Sequence, residues 1–121
     1  WQPAPGANSL VVLVVHVAGA QSFLLGDLLS GRPSQRNRDS EFSMHALDAA
    51  TLNARLDAAM EDATASIAAL TLDDLAQERY SARHQRNFTV AWILNHALEH
   101  AAQHVGHAQL TRQLWAQYPS D

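Results

Sequence analysis

Three long segments of the chain carry apolar residues at helical spacing. The first covers about residues 9–30, where an apolar run is preceded by Asn8 and Ser9 as possible helix caps. It must end at Gly31 and Pro33, because glycine commonly follows a helix C-terminus and proline cannot continue one. We therefore predict a long, apolar first helix.

The second and third segments are predicted to form amphipathic helices. Thr89 can cap the third helix, which extends to about residue 118, where Pro119 ends the pattern. The second helix, at about residues 48–70, places apolar residues at i, i+4, i+7 and i+8. These residues are Leu52, Leu56, Ala59, Met60, Ala63, Ile67 and Leu70.

The segments between these helices are short or polar. Residues 31–43 are predicted to be a surface loop, residues 72–78 a short turn, and residues 79–87 a polar segment with several arginines. No internal repeat or low-complexity tract is present. The pattern predicts an all-α, up-down helical bundle with three main helices, folded as one domain over residues 1–121.

The apolar run at the start of the first helix permits other interpretations. The valines of residues 11–15 would also suit a buried strand, but the length of the apolar pattern favours a helix. A bilayer span needs about 20 apolar residues, and His16, Gln21 and Ser22 interrupt this run. Residues 17–20 resemble a signal-peptidase site, yet no positively charged region precedes them. We expect a cytoplasmic protein with no transmembrane helix.

Composition removes several classes of function. The chain has 121 residues, a formal net charge of −4, eight basic residues that are all arginine, and no cysteine. A general nucleic-acid binder would present a basic face to phosphates, so we expect no nucleic-acid partner. Without cysteine there can be no disulfide, iron–sulfur cluster or thiol nucleophile. Any bound metal must be held by nitrogen and oxygen.

Four of the seven histidines lie in the third predicted helix, at His96, His100, His104 and His107. At 100° per residue these four, the histidine stripe, fall within about 80° of one another and border the core-facing side. Histidines four residues apart can share one metal ion. Buried ring nitrogens without partners would cost about 1–3 kcal/mol each. The stripe predicts a metal site, with a structural hydrogen-bond ladder or a pH-sensitive interface as alternatives.

His16 is the candidate for a third ligand. A catalytic metal site generally has three protein ligands and an open position, and His16 has apolar neighbours at helical spacing on the first helix. A three-histidine site of His16 with two stripe residues could activate a bound nucleophile; an isolated core histidine is the alternative. His45 and His84 lie in or near polar loops and receive no predicted role. The arginines of residues 32–38 and 79–86 are expected on a solvated surface, or in contact with an anionic substrate group.

The segment from His96 to His100 fits the H-x-x-E-H motif of inverted zinc proteases. That motif requires a further acidic ligand downstream, and after Glu99 the only acid is Asp121, the last residue. Glu99 also lies about 100° from His100 on the helical wheel. We therefore do not predict a peptidase.

The chain resembles the DinB/YfiT-like superfamily over nearly its whole length. The resemblance is carried by WQPAPGANSL at residues 1–10 with the helix that bears His16, by RDSEF at residues 38–42, and most specifically by TVAWILNHALEHAAQHVGHAQLTR at residues 89–112. It implies a four-helix bundle and a divalent metal held by His16, His100 and His104. It also implies, for some relatives, a metal-dependent thiol transferase or isomerase that uses a low-molecular-weight bacterial thiol.

The sequence departs from that family at its N-terminus, where the family's first long helix has no counterpart. A three-helix remainder leaves one apolar side of the bundle uncovered. We therefore expect a homo-oligomer, most simply a dimer as in many family members, or a longer natural protein. The predicted function is a metal-dependent transferase or metal-assisted hydrolase acting on a small molecule, with zinc or nickel as the metal. The alternative is a non-catalytic helical module with a histidine-lined pocket.

Overall fold

A computed structural model describes residues 1–118, and Pro119, which was predicted to end the last helix, lies outside the described residues. The first predicted helix is continuous but changes type along its length. Helix α1 spans Leu10–Gln21, and a π-helical segment follows at Ser22–Leu29. The Ser9 side chain caps α1 by accepting a hydrogen bond from the Val12 amide at 3.2 Å. The predicted boundaries are confirmed within one residue, whereas the π-helical geometry was not predicted.

The π-helical segment keeps one face of the long helix turned toward a single cavity, which has a volume of about 230 Å³. His16, Ala20, Leu24 and Leu28, each four residues from the next, all line that cavity. An α-helix has 3.6 residues per turn, so a four-residue spacing drifts around its axis. A π-helix closes i→i+5 hydrogen bonds and has a wider turn, which offsets that drift over the second half of the helix.

The other two long helices form close to their predicted positions. Helix α3 spans Ala49–Ala68 with Asp48 as its N-cap, and helix α4 spans Val90–Trp115 with Thr89 as its N-cap. Both caps accept a hydrogen bond from the backbone amide three residues ahead, as N-cap side chains do. The mostly helical bundle is therefore confirmed.

Two predicted loops contain regular structure. Within the predicted loop 31–43, helix α2 forms at Arg38–Phe42, capped by Asn37. The polar segment 79–87 belongs to an antiparallel hairpin of strands β1, Glu78–Ser81, and β2, Arg86–Thr89. The predicted short turn is a 3₁₀ helix at Leu72–Ala76. The hairpin gave almost no alternation signal because only Ser81 and Phe88 among its residues are buried.

The long N-terminal helix is the centre of the fold. Helix α1 and the π-helical segment pack against α3 on one side and α4 on the other. Val90 and Ile93 of α4 are completely buried, and they pack with Phe88 and the leucines of the π-helical segment. Gln21 also donates a hydrogen bond to the carbonyl of Ala97 at 2.8 Å, which fixes α1 against α4.

An open apolar groove of about 450 Å³ runs between α3 and α4. Val17 and Leu25 form its floor, while Leu56, Met60 and Leu98 stand on its walls. Met60 is 67% exposed and Leu98 71% exposed. The apolar face of the second predicted helix is thus only partly covered, as the three-helix pattern led us to expect.

The continuous helix at Leu10–Leu29 is long and apolar enough to cross a membrane by length and composition alone. Half of this stretch is buried inside the protein. The core helix of a globular protein satisfies the same criteria, so this feature is weak evidence for a membrane span.

Candidate metal centre

The structure brings together three predicted ligands from two helices. His16 of α1 and His100 and His104 of α4 each offer a ring nitrogen, and these atoms all lie within 4.8 Å of one another. The Nε2 atoms of His16 and His100 are 3.1 Å apart. Two imidazoles on one tetrahedral zinc ion, with Zn–N bonds near 2.05 Å, would hold their nitrogens about 3.3 Å apart. We call His16, His100 and His104 the histidine triad.

His16 is oriented by a buried ion pair from outside the long helices. Its Nδ1 donates a hydrogen bond to Oε2 of Glu41 at 2.8 Å. Arg36 donates two hydrogen bonds to the same carboxylate, from Nε to Oε1 at 2.6 Å and from Nη2 to Oε2 at 2.8 Å. The Nε2 lone pair of His16 is therefore directed at the other two histidines.

The contact between His16 and Glu41 depends on a glycine. Gly19 lies one turn beyond His16 on α1, and a Cβ atom at this position would collide with Oε1 of Glu41. Burial raises the pKa of Glu41, but hydrogen bonds from Arg36 and His16, together with the charge of Arg36, outweigh it and lower the pKa below its ordinary value. Glu41 is thus ionised at neutral pH.

The two α4 histidines of the triad are neutral at physiological pH. Burial is the largest cause that lowers the pKa of His100 to about 4, and the neighbouring His104 and His16 lower it further. Burial also lowers the pKa of His104, with added effects from His16 and His107. Neutral imidazoles have a free lone pair, which is the form that binds metal ions. Nδ1 of His100 is buried and has no hydrogen-bond partner among the described residues.

The remaining residues of the histidine stripe extend the row of rings along α4. His96 stacks on Trp92 with a centroid distance of 4.6 Å, and His107 Nδ1 lies 3.3 Å from His104 Nδ1. Neither His96 nor His107 belongs to the triad. Glu99 is exposed on α4 and lies outside the triad too, so the H-x-x-E-H spacing does not assemble a zinc-protease site in the described residues.

A cavity of about 230 Å³ opens beside the triad. His16 and His100 line one part of it, and Phe88, Trp92 and His96 line another. A small molecule that enters this cavity therefore meets the triad directly. The remaining lining residues are Ala20, Phe23, Leu24, Leu28, Arg36, Arg38, Arg83 and His84.

Comparison with known families places this geometry in context. A family model described as mycothiol-S-transferase matches residues 1–117. The chain belongs to the mycothiol-S-transferase family. This assignment confirms the resemblance to the DinB/YfiT-like superfamily, of which the mycothiol-S-transferase family is a member. A search of curated proteins finds no match.

Sequence reasoning missed the residues that support His16. Arg36 and Glu41 lie in the polar segment that was predicted to be a surface loop, although Glu41 is only 5% exposed. Two histidines were given no predicted role. His84 lines the cavity, and its Nδ1 forms a hydrogen bond with the Ser81 hydroxyl at 2.9 Å. His45 is exposed and does not line this cavity. A glutamate five residues after a loop arginine is too common a pattern to indicate a buried pair.

Proposed function

We propose that this member of the mycothiol-S-transferase family transfers a low-molecular-weight thiol to an electrophilic small molecule. The transfer depends on a divalent metal, zinc or nickel, held by His16, His100 and His104. The observation that carries the proposal is the convergence of three ring nitrogens from two helices at the edge of a cavity. Family membership supports thiol transfer as the reaction.

The donor set fits such an ion. Imidazole is a ligand for zinc and nickel, and the 3.1 Å between the Nε2 atoms of His16 and His100 is close to the separation expected at one ion. The ring nitrogen of His104 completes the donor set, because all three atoms lie within 4.8 Å of one another.

Glu41 and Arg36 give the triad its fixed geometry. A metal-binding histidine usually donates its second ring N–H to a carboxylate or carbonyl, which fixes the tautomer and raises the basicity of the ligand. His16 has such a partner in Glu41, and Arg36 neutralises the carboxylate and holds it in place. This arrangement directs Nε2 of His16 at the metal position.

The chemistry requires a thiolate, which the protein itself lacks because it contains no cysteine. A divalent ion held by His16, His100 and His104 would supply it by lowering the pKa of the thiol. The sulfur then forms a bond to carbon of the electrophile, the bond to the leaving group breaks, and the thiol proton passes to solvent. The protein's own part is to orient the thiol at the triad and to hold the electrophile in the cavity beside it.

We further propose that the protein acts as one cytoplasmic domain and assembles as a homodimer. The groove between α3 and α4 exposes Leu56, Met60, Ile67 and Leu98 to solvent. A second copy of the chain covers this groove, since an apolar surface of this kind is a common feature of self-association.

Thiol transfer tests the proposal directly. The assay combines mycothiol with 1-chloro-2,4-dinitrobenzene and follows the aryl thioether by absorbance, with cysteine and glutathione as competing thiols. We expect activity with mycothiol that His100→Ala removes and that His45→Ala, a variant of an exposed histidine outside the site, preserves. Equal rates for wild type and His100→Ala would overturn the proposal.

A further inference from the structure

The cavity beside the triad has an unusual distribution of charge. Arg36, Arg38 and Arg83 line it, whereas neither aspartate nor glutamate does among the described residues. The chain as a whole has more acids than bases, with a formal net charge of −4. Three of its eight arginines therefore gather at one small cavity in an acidic protein.

Two of these arginines are not neutralised by the protein. Arg36 is the exception, because it forms an ion pair with Glu41. Within residues 1–118, Arg38 and Arg83 have no carboxylate within ion-pair distance, and each instead lies over an aromatic ring. The guanidinium carbon of Arg38 is 4.8 Å from the centroid of Phe42, and that of Arg83 is 5.9 Å from the centroid of Phe23. The rings position the two cations and leave their N–H groups available.

The ionisation of a neighbouring histidine is consistent with a positive potential. His84 lines the same cavity. Burial is the main cause that lowers its pKa, and the charges of Arg83 and Arg86 lower it further. A second positive charge is thus disfavoured here, whereas an anion would be attracted.

Part of the cavity lining is aromatic. Phe88 and Trp92 stack with a centroid distance of 4.2 Å, and Trp92 and His96 continue the stack at 4.6 Å. All three rings line the cavity. Stacked rings of this kind present planar surfaces and edges, to which a planar ligand can pack.

We propose that the electrophile accepted by this cavity carries a carboxylate on a planar, unsaturated or aromatic body. Arg38 and Arg83 bind the carboxylate, since a planar guanidinium matches a carboxylate with two parallel hydrogen bonds. Phe88, Trp92 and His96 pack against the planar body, which places it next to the triad. This inference rests on the proposed function only in calling the ligand an electrophile, because the anion subsite itself needs no metal.

The test compares benzoate with benzamide, a neutral molecule of nearly the same shape. Both are titrated into the full-length protein, and binding is followed by ligand-observed NMR. The variants are Arg38→Gln and Arg83→Gln, with Arg112→Gln as the control, because Arg112 is exposed near the end of α4 and does not line this cavity. Arg38 and Arg83 are exposed, so all three variants are expected to fold, which circular dichroism checks.

We expect benzoate to bind at least tenfold more tightly than benzamide, a difference of about 1.4 kcal/mol. Arg38→Gln and Arg83→Gln should each remove most of this preference, and Arg112→Gln should leave it unchanged. Equal binding of the two probes, or a preference for benzoate that survives both cavity variants, overturns the inference. The second result would mean that benzoate binds a metal or another site.

Metal content, measured on the same samples, separates this inference from the proposed function. Arginine-dependent benzoate binding by a protein that holds no metal would support the anion subsite and contradict the metal centre. A stoichiometric metal with no arginine-dependent preference would contradict the anion subsite and leave the metal centre standing.

Discussion

Nδ1 of His16 donates a hydrogen bond to Oε2 of Glu41 at 2.8 Å, across 25 positions of the sequence. Both side chains are buried, and Arg36 donates hydrogen bonds to both oxygens of the same carboxylate. A histidine held in this way has a single available lone pair, on Nε2, and that atom lies 3.1 Å from His100. The pair thus connects the short helix α2 to the geometry of the candidate metal centre.

Replacing Glu41 by glutamine tests this connection. Glu41→Gln keeps the shape of the side chain but removes the charge that orients His16 and neutralises Arg36. We expect zinc affinity to fall about 10–100-fold, the usual effect of losing such a supporting residue. The free energy of unfolding should fall by about 3 kcal/mol, because Arg36, whose side chain is only 10% exposed, would lose its charged partner.

Calorimetric zinc titration and denaturant unfolding measure these two effects. Asp39→Asn is the matched control, since Asp39 is an exposed acid on the same helix. Unchanged zinc affinity in Glu41→Gln would show that the carboxylate does not support the site.

Gly19→Ala should weaken the same contact by steric means. The added methyl group would overlap Oε1 of Glu41, so the carboxylate must move from its position between His16 and Arg36. We expect a destabilisation of about 1–3 kcal/mol together with weaker zinc binding. Gly106→Ala on α4 is the control, and it should change stability in the opposite direction because a methyl group there meets no atom within 4 Å. It should stabilise the protein by about 0.4–1 kcal/mol. Thermal and denaturant unfolding compare the two, and equal effects would contradict the account.

The stability of the metal-free protein should decrease as the pH falls below neutrality. Burial lowers the pKa of folded His100 to about 4 from an ordinary value of 6.5, so between these values the unfolded chain binds more protons than the folded chain. The stabilising contribution is complete above pH 6.5 and is lost as the pH falls toward 4. The lowered pKa of His104 acts in the same direction.

Urea unfolding of chelator-treated protein at pH 7.5 and pH 5.0 measures this dependence. His100→Gln should reduce the difference in unfolding free energy between the two pH values, while His45→Gln, which changes an exposed histidine, should not. An identical pH dependence in wild type and His100→Gln would contradict the predicted ionisation.

The exposed apolar groove between α3 and α4 leads us to predict that the protein forms a dimer. Analytical ultracentrifugation at micromolar concentration should show a dimer of the wild type. Leu98→Glu should shift it to a monomer, because Leu98 is 71% exposed on the groove wall and a charge there opposes burial in an interface. Leu72→Glu is the control, since Leu72 is 85% exposed and lies outside the groove. A monomeric wild type would rule out a dimer at this concentration.

Much of the fold was predictable because its signals are local. Ser9, Asp48 and Thr89 cap the three long helices, and short polar residues before an apolar run are a direct sign of a helix start. The spacing of four between His100 and His104 likewise predicted a shared face, and the apolar surroundings of His16 predicted its burial, which the structure confirms.

The features that were missed depend on contacts between distant parts of the chain. Glu41 has a polar sequence context, and only its packing against Gly19 and Arg36 makes it a buried residue. The hairpin contains one buried aromatic residue, Phe88, too few for an alternating pattern. The sequence suggested that the arginines of residues 32–38 and 79–86 could contact an anionic group, but not that Arg38 and Arg83, 45 positions apart, line one cavity.

Metal content of the untagged protein, purified without chelator, is the most direct test of the central claim. Elemental analysis should find about one zinc or nickel ion per chain in the wild type and in His45→Ala. The same analysis should find little or none in His16→Ala, His100→Ala and His104→Ala, each confirmed as folded by circular dichroism. Full metal content in all three triad variants, or none in the folded wild type after incubation with zinc and nickel, would contradict the metal centre.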